Sequence, residues 1–144
     1  MISRFLLPLY LAYIDGVDWR VLHAFTYGSV TLARVIEVPA NFITNFASIP
    51  RVFWSVYPPT GIYGKAALVH DYLYRTAYYA TRAQADSVFL EAMEDLGVGW
   101  WTRQLLYRGV RIGGRRSYGG YAAVRNVSLH EVDLFTRGPD NRPR

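Results

Sequence analysis

Two stretches decide the fold: Tyr63-Gly64-Lys65-Ala66-Ala67-Leu68-Val69-His70-Asp71-Tyr72-Leu73-Tyr74-Arg75-Thr76, and Thr81-Arg82-Ala83-Gln84-Ala85-Asp86-Ser87-Val88-Phe89-Leu90-Glu91-Ala92-Met93-Glu94-Asp95-Leu96. In the first, Ala66, Val69 with His70, Leu73 with Tyr74, and Ala77 return every three to four positions, the period of one helical face. In the second, Ala85 or Asp86, Phe89 or Leu90, Met93 and Leu96 do the same. Thr81 and Gln84, three residues apart, are the capping-box pair that starts a helix. Gly97-Val98-Gly99 stops it, and a third helix is predicted from about Trp100 to Ile112, closed by Gly113-Gly114. The loop around Thr76 to Ala80 is short, so the first two helices are expected to run antiparallel.

Upstream, the chain reads as strands. Phe5 to Tyr13 is apolar and aromatic, and Asp15-Gly16 supplies a turn. Trp19 to Tyr27 is the second strand candidate, Gly28-Ser29 the next turn, and Val30 to Val38 a β-branched third strand ended by Pro39. Asn41 to Pro50 lacks periodicity. It carries Asn41, Thr44, Asn45 and Ser48, short polar side chains that bond to nearby backbone or close over an adjacent site. Pro50 suits the start of a short helix over Arg51 to Val56. The fold class is therefore α+β: a small antiparallel sheet from the N-terminal third, packed on an antiparallel helix pair plus a third helix. One domain is expected over residues 1–126, with Leu73, Phe89, Leu90, Met93 and Leu105 in its core. Residues 127–144 read as an extended basic tail.

Composition narrows the function classes. The chain has 144 residues, enough for one core, and 51% hydrophobic residues argue against disorder. No apolar run reaches the length of a membrane span. The N-terminal apolar run is not followed by a small-residue cleavage pattern, so it is not read as a secretory signal. With no cysteine, disulfides, thiolate catalysis and cysteine zinc sites are out. The net charge is +5, and of the 16 basic residues only Lys65 is not arginine. Arg103, Arg108, Arg111, Arg115, Arg116 and Arg125 concentrate that charge late in the chain. Such a cluster suits phosphate or nucleic acid, and equally an acidic partner or a solvated helix end.

The candidate site follows from helix geometry. In an antiparallel pair, residues equally far from the loop centre meet. His70 lies eight before position 78 and Asp86 eight after it, both on the apolar stripes. A histidine beside a carboxylate in an apolar seam has its tautomer fixed and its protonated form stabilised, the arrangement of a general base. Tyr74, one turn on, is placed to hold Asp86. The candidate catalytic set is thus His70, Asp86 and Tyr74. Asp71 is expected to point off the seam, towards a divalent cation (calcium or magnesium), Arg75 or Arg51. Arg51 and Asn45 are the candidate binding residues. The same His–Asp–Tyr network is equally suited to holding two helices in register without chemistry. Glu91 and Glu94 read as solvated helix-face acids, and His23 and His130 are assigned nothing.

Three ordered motifs carry a resemblance. Val38-Pro39-Ala40-Asn41-Phe42-Ile43-Thr44-Asn45-Phe46-Ala47-Ser48-Ile49-Pro50-Arg51, His70-Asp71-Tyr72-Leu73-Tyr74, and Ala85-Asp86 with Phe89 and Glu91-Ala92-Met93 resemble the DUF1353 family across roughly Leu6 to Ile112. That family is encoded mainly by tailed bacteriophages and prophages and has no established activity. Its pattern usually has glycine at position 41 and aspartate at position 45, and an amide at Asn45 lacks the charge a metal ligand or base would need there. A looser similarity is to the phospholipase A2 helix pair, in which a His-Asp-x-x-Tyr run faces an aspartate. It implies for His70 a water-activating base, for Asp71 a calcium ligand, for Tyr74 a hydroxyl support and for Asp86 a histidine orienter. The disulfides and the glycine-rich calcium loop of that family are missing here.

The family resemblance implies a bacteriophage protein, located in the virion or the host cytoplasm. The leading expectation is a structural or virion-associated protein whose partners are other phage structural proteins. A small hydrolase using the His–Asp dyad, and phosphate or nucleic-acid binding through the late arginines, are the alternatives.

Overall fold

The computed structural model describes residues 4–46, 49, 51–58, 61–76, 80–115 and 118. Five strands precede three helices: β1 (Leu11–Asp15), β2 (Asp18–Val21), β3 (Phe25–Ser29), β4 (Arg34–Val38), β5 (Ile43–Thr44), then α1 (Gly64–Thr76), α2 (Arg82–Asp95) and α3 (Trp100–Gly113). The class is α+β, as the patterning requires, but the strands form two small antiparallel sheets where one was expected. One sheet has the order β1-β2-β5, and the other is the β3-β4 hairpin.

The difference comes from three local features. Pro8 has no N–H to give a ladder, so the first strand begins only at Leu11, and Phe5 makes an isolated bridge to Tyr27. The expected strand from Trp19 to Tyr27 is cut at Leu22–Ala24, which splits it between the two sheets. Gly28-Ser29 lies inside β3 and is not a turn: Gly28 donates its N–H to the carbonyl of Arg4, and Ser29 pairs with Arg34. The reversal falls at Val30–Ala33, where Ala33 takes a positive φ of 51°.

The helices follow the sequence signals closely. Thr81 Oγ1 accepts from the Gln84 N–H at 3.2 Å, and Gln84 Oε1 accepts from the Thr81 N–H at 2.9 Å, a complete capping box. Gly97 ends α2 with φ +72°, a conformation that glycine adopts without a Cβ penalty. The segment after Pro50 forms only a short 3₁₀ helix over Arg51–Phe53, not the longer turn expected to Val56. The β3-β4 hairpin lies against α2 and α1, while β5 reaches α1.

The core contains Phe25, Tyr27, Phe46, Leu68, Leu73, Phe89 and Met93. Leu90 is only half-buried, and Leu105 faces solvent. Its place inside is taken by Leu106 with Val110, one helical turn apart. The expected tail, the domain limit at residue 126, Ser48, Pro50, Ala77, Arg116, Arg125 and His130 lie outside the described residues.

Glu91, expected in solvent, fastens the hairpin to α2. Its carboxylate accepts from the Val30 N–H at 2.7 Å, the Thr31 N–H at 3.0 Å and the Ser29 hydroxyl at 3.1 Å, and it pairs with Arg4. Asp95, one turn on, accepts from the Tyr27 hydroxyl at 2.8 Å and meets Arg4 at 3.3 Å. Burial opposes ionisation of Glu91, yet the donors from Thr31, Val30 and Ser29 hold its carboxyl below the usual range. Glu91→Ala strands these donors and is expected to cost about 2 kcal/mol by urea unfolding, whereas Glu94→Ala should cost less than about 0.5 kcal/mol.

Candidate functional site: a buried seam between three helices

His70 and Tyr74 lie one turn apart on the face of α1 that meets α2. Asp86 meets them from the first half of α2. Its Oδ1 accepts from His70 Nε2 at 2.9 Å and from the Tyr74 hydroxyl at 2.5 Å. The equidistance of positions 70 and 86 from the loop centre thus translates into direct contact. The rings of Tyr74 and Phe89 flank the imidazole, with centroids at 4.1 and 4.9 Å. The closure is tight: the His70 side chain is 1% exposed and that of Asp86 0%.

A third donor completes the cluster. Arg111, near the end of α3, donates from Nη1 to Asp86 Oδ2 at 2.9 Å. The Arg82 guanidinium, at the start of α2, hydrogen-bonds the Tyr74 side chain and the carbonyl of Arg111. Sequence reasoning missed both residues, although the signal for Arg111 was present. Residues 86 and 111 stand 12 and 13 positions either side of Val98, the middle of the α2–α3 turn. The same equidistance rule applies there.

The electrostatics follow from burial and pairing. Burial pushes the Asp86 carboxyl up, but the hydrogen bonds from His70, Tyr74 and Arg111 outweigh it, and the group sits below its ordinary value. Burial pushes the His70 ring down, against the hydrogen bond and charge of Asp86. A neutral imidazole facing a carboxylate through Nε2 must carry its proton on Nε2, which makes Nδ1 the acceptor nitrogen.

Asp71 is turned away from the seam, towards β5. Its Oδ2 accepts from the Thr44 hydroxyl at 2.6 Å and faces Arg75 at 3.5 Å, and the Asn45 backbone N–H also serves this carboxylate. Burial pushes the carboxyl up, against the Arg75 charge and the Thr44 hydroxyl. Arg75 also donates to the carbonyl of Ile43 at 2.6 Å, so this second cluster clamps β5 onto α1. A carboxylate that already faces a guanidinium is a poor fit to calcium or magnesium, which gather about six or more oxygen ligands. Among the described residues, no group of three or more His, Asp or Glu side chains is arranged around a common point to hold an ion.

The remaining candidates lie apart from both clusters. Arg51 does not reach Asp71; its guanidinium lies over the Trp54 ring, 5.7 Å from the centroid. Arg103 pairs with Glu94 and the exposed Arg111 with Asp86, which leaves Arg108 and Arg115 as the members of the late cluster with no ion pair among the described residues. A shallow depression of about 180 Å³ is lined by Arg34, Val35, Ile36, Glu37 and Tyr72, none of which belongs to the seam. No helix among the described residues is long and apolar enough to cross a membrane.

The turn between β4 and β5 and the residues just after it carry two positions of positive φ. Asn41 has φ +67°, the left-handed region that glycine adopts most readily and asparagine tolerates. Phe46 also has a positive φ, 51°, which is strained for an aromatic residue. Its buried ring and the bond from its N–H to Thr44 Oγ1 at 3.1 Å hold it there.

The pH dependence of stability follows from these shifts. Between its lowered folded value and 6.5, His70 binds a proton more readily in the unfolded chain, so stability falls as pH drops through that window. Asp86 and Glu91, also lowered, add a second loss below their ordinary values of 3.8 and 4.5. Asp71, raised above 3.8, acts in the opposite sense over its own window. One proton corresponds to at most about 1.4 kcal/mol per pH unit. Urea midpoints measured from pH 7 to pH 5 should therefore decline, and the decline should flatten in His70→Gln.

No curated protein and no solved structure matches the chain. A family model described as "Protein of unknown function (DUF1353)" matches residues 19–110, a span that includes most of β2, all of β3 to β5, the side chains of His70, Asp71, Tyr74 and Asp86, and most of α3, and ends one residue before Arg111. The three motifs quoted above fall within it, and described residues of each meet in space: Thr44 of β5 closes on Asp71, and His70 and Asp86 close on each other. This chain belongs to the DUF1353 family.

Proposed function

We propose that this chain is a bacteriophage structural or virion-associated protein that works through protein–protein contacts, with the His70–Asp86 seam as the lock that holds its helices in register. The observation that carries this reading is the saturation of Asp86. Its buried carboxylate already receives His70, Tyr74 and Arg111, one donor from α1's histidine, one from its tyrosine and one from α3. A dyad built for general-base work has a ring edge open to water and substrate, and here the ring is enclosed. The outside carries large apolar side chains instead, among them Val52, Val56, Trp101 and Ile112, which suit contact surfaces.

The experiment is quantitative mass spectrometry of purified particles of the encoding phage. A fixed copy number relative to the major capsid protein is expected. Absence from particles, with the protein confined to the lysate, overturns the reading. The hydrolase reading draws its support from the 2.9 Å His70–Asp86 contact alone. It requires His70→Gln to abolish a hydrolytic activity while the helices stay packed. On the contact reading, that variant loses stability and remains incorporated to the extent that it folds.

A further inference from the structure

The helix α3 carries two apolar stripes. Leu106 and Val110 face the core. At 100° per residue, Trp101, Leu105, Arg108 and Ile112 fall on the opposite side, within a narrow band. Trp101 is 81% exposed, Ile112 82% and Leu105 40%, and Trp100 stands beside them at 53%. A helix needs one apolar stripe to join a core, so the second is surplus to folding.

The charges on this side are of one sign. No acidic residue occurs between Trp100 and Arg115. Arg103 and Arg111 are consumed by Glu94 and Asp86. Arg108 and Arg115 are exposed, and neither makes an ion pair among the described residues. The Arg111–Asp86 bond also ties α3 to α2 from its flank, so the outer face is presented rigidly, which reduces the ordering cost of binding.

We propose that the outer face of α3 docks an acidic amphipathic helix of a partner protein. Its apolar side chains meet Trp101, Leu105 and Ile112, and its carboxylates meet Arg108 and Arg115. Arg108 decides between this partner and a lipid surface. It stands within the apolar band, between Leu105 and Ile112, where acyl chains offer its guanidinium nothing and a facing carboxylate offers a bidentate pair. Tryptophan and arginine at the centre of a contact are also the residues that carry most binding energy. The inference rests on the contact-protein reading and adds to it a surface and a partner chemistry.

The test uses the full chain and a fluorescein-labelled synthetic helix with leucines on one face flanked by glutamates, read by anisotropy. Binding is expected at low salt and should weaken roughly tenfold by about 0.3 M salt. The double variant Arg108→Glu with Arg115→Glu, and separately Trp101→Ser, should each weaken it at least about tenfold. All three side chains are exposed, and unchanged melting temperatures check that the fold is kept. A twin peptide with lysine for glutamate should not bind. The proposal is overturned by peptide binding that these substitutions leave unchanged. It is overturned equally if phosphatidylglycerol vesicles bind and the peptide does not, or if the substitutions instead abolish a dimer of the chain. In particles, a copy number unchanged by Trp101→Ser would sink this inference and leave the virion assignment standing. Absence of the wild-type chain from particles would sink the assignment itself.

Discussion

Asp86→Ala should lower the unfolding free energy by about 3–5 kcal/mol, because two buried donors are left without an acceptor at about 1–3 kcal/mol each and the tie to Arg111 is lost as well. The size follows from what is stranded. His70 Nε2 and the Tyr74 hydroxyl, both buried, lose their common acceptor, and Arg111 loses its tie between α3 and α2. Asp86→Asn keeps the shape and one acceptor oxygen but turns an amide N–H₂ towards one of the donors, so an intermediate loss is expected. Urea unfolding of both variants is the measurement. A loss below about 1 kcal/mol for the alanine variant would mean that water or a neighbouring group replaces the carboxylate, and the seam would then not be the lock described.

The second large effect is at Phe89. Its ring is fully buried beside the His70 imidazole, at the point where the polar seam gives way to the apolar core. Phe89→Ala removes a fully buried ring that lies against the His70 imidazole, and the packed core around it closes such a cavity only in part. A loss of about 3–5 kcal/mol is expected. Phe89→Leu, which keeps most of the volume, should cost less than about 1.5 kcal/mol. A loss under 1 kcal/mol for the alanine variant would show that the inward face of α2 is not the one formed by Phe89 and Met93.

The parts of the fold that were legible in the sequence are those governed by short-range rules. The stripe through Ala66, Val69, Leu73 and Tyr74, the Thr81–Gln84 box and the Gly97 stop each act within one or two helical turns. The His70–Asp86 contact was legible for a related reason: a short loop fixes which residues of two antiparallel helices share a level. The same geometry reached Arg111 but went unused, because its charge suggested the surface. What stayed hidden depends on contacts distant in sequence. Nothing local marks Glu91 as the anchor of Val30 and Thr31, sixty residues earlier, or sets Gly28 against Arg4. Leu105 and Leu106 are adjacent and identical, and only the direction from which the core approaches decides which is buried. Trp19 to Tyr27 alternates well enough to look like one strand, and the jump between sheets at Leu22–Ala24 is a tertiary event.

The central claim is that the imidazole of His70 is a closed structural donor. Its most direct test is a ¹H–¹⁵N NMR spectrum of the histidine side chains recorded across pH. The His70 ring is expected to be neutral with its proton on Nε2, held by Asp86 and slow to exchange with water, and to take up a proton only below pH 6.5. A ring that takes up a proton near its ordinary value and exchanges freely with solvent would contradict it, and would return His70 to the role of a general base.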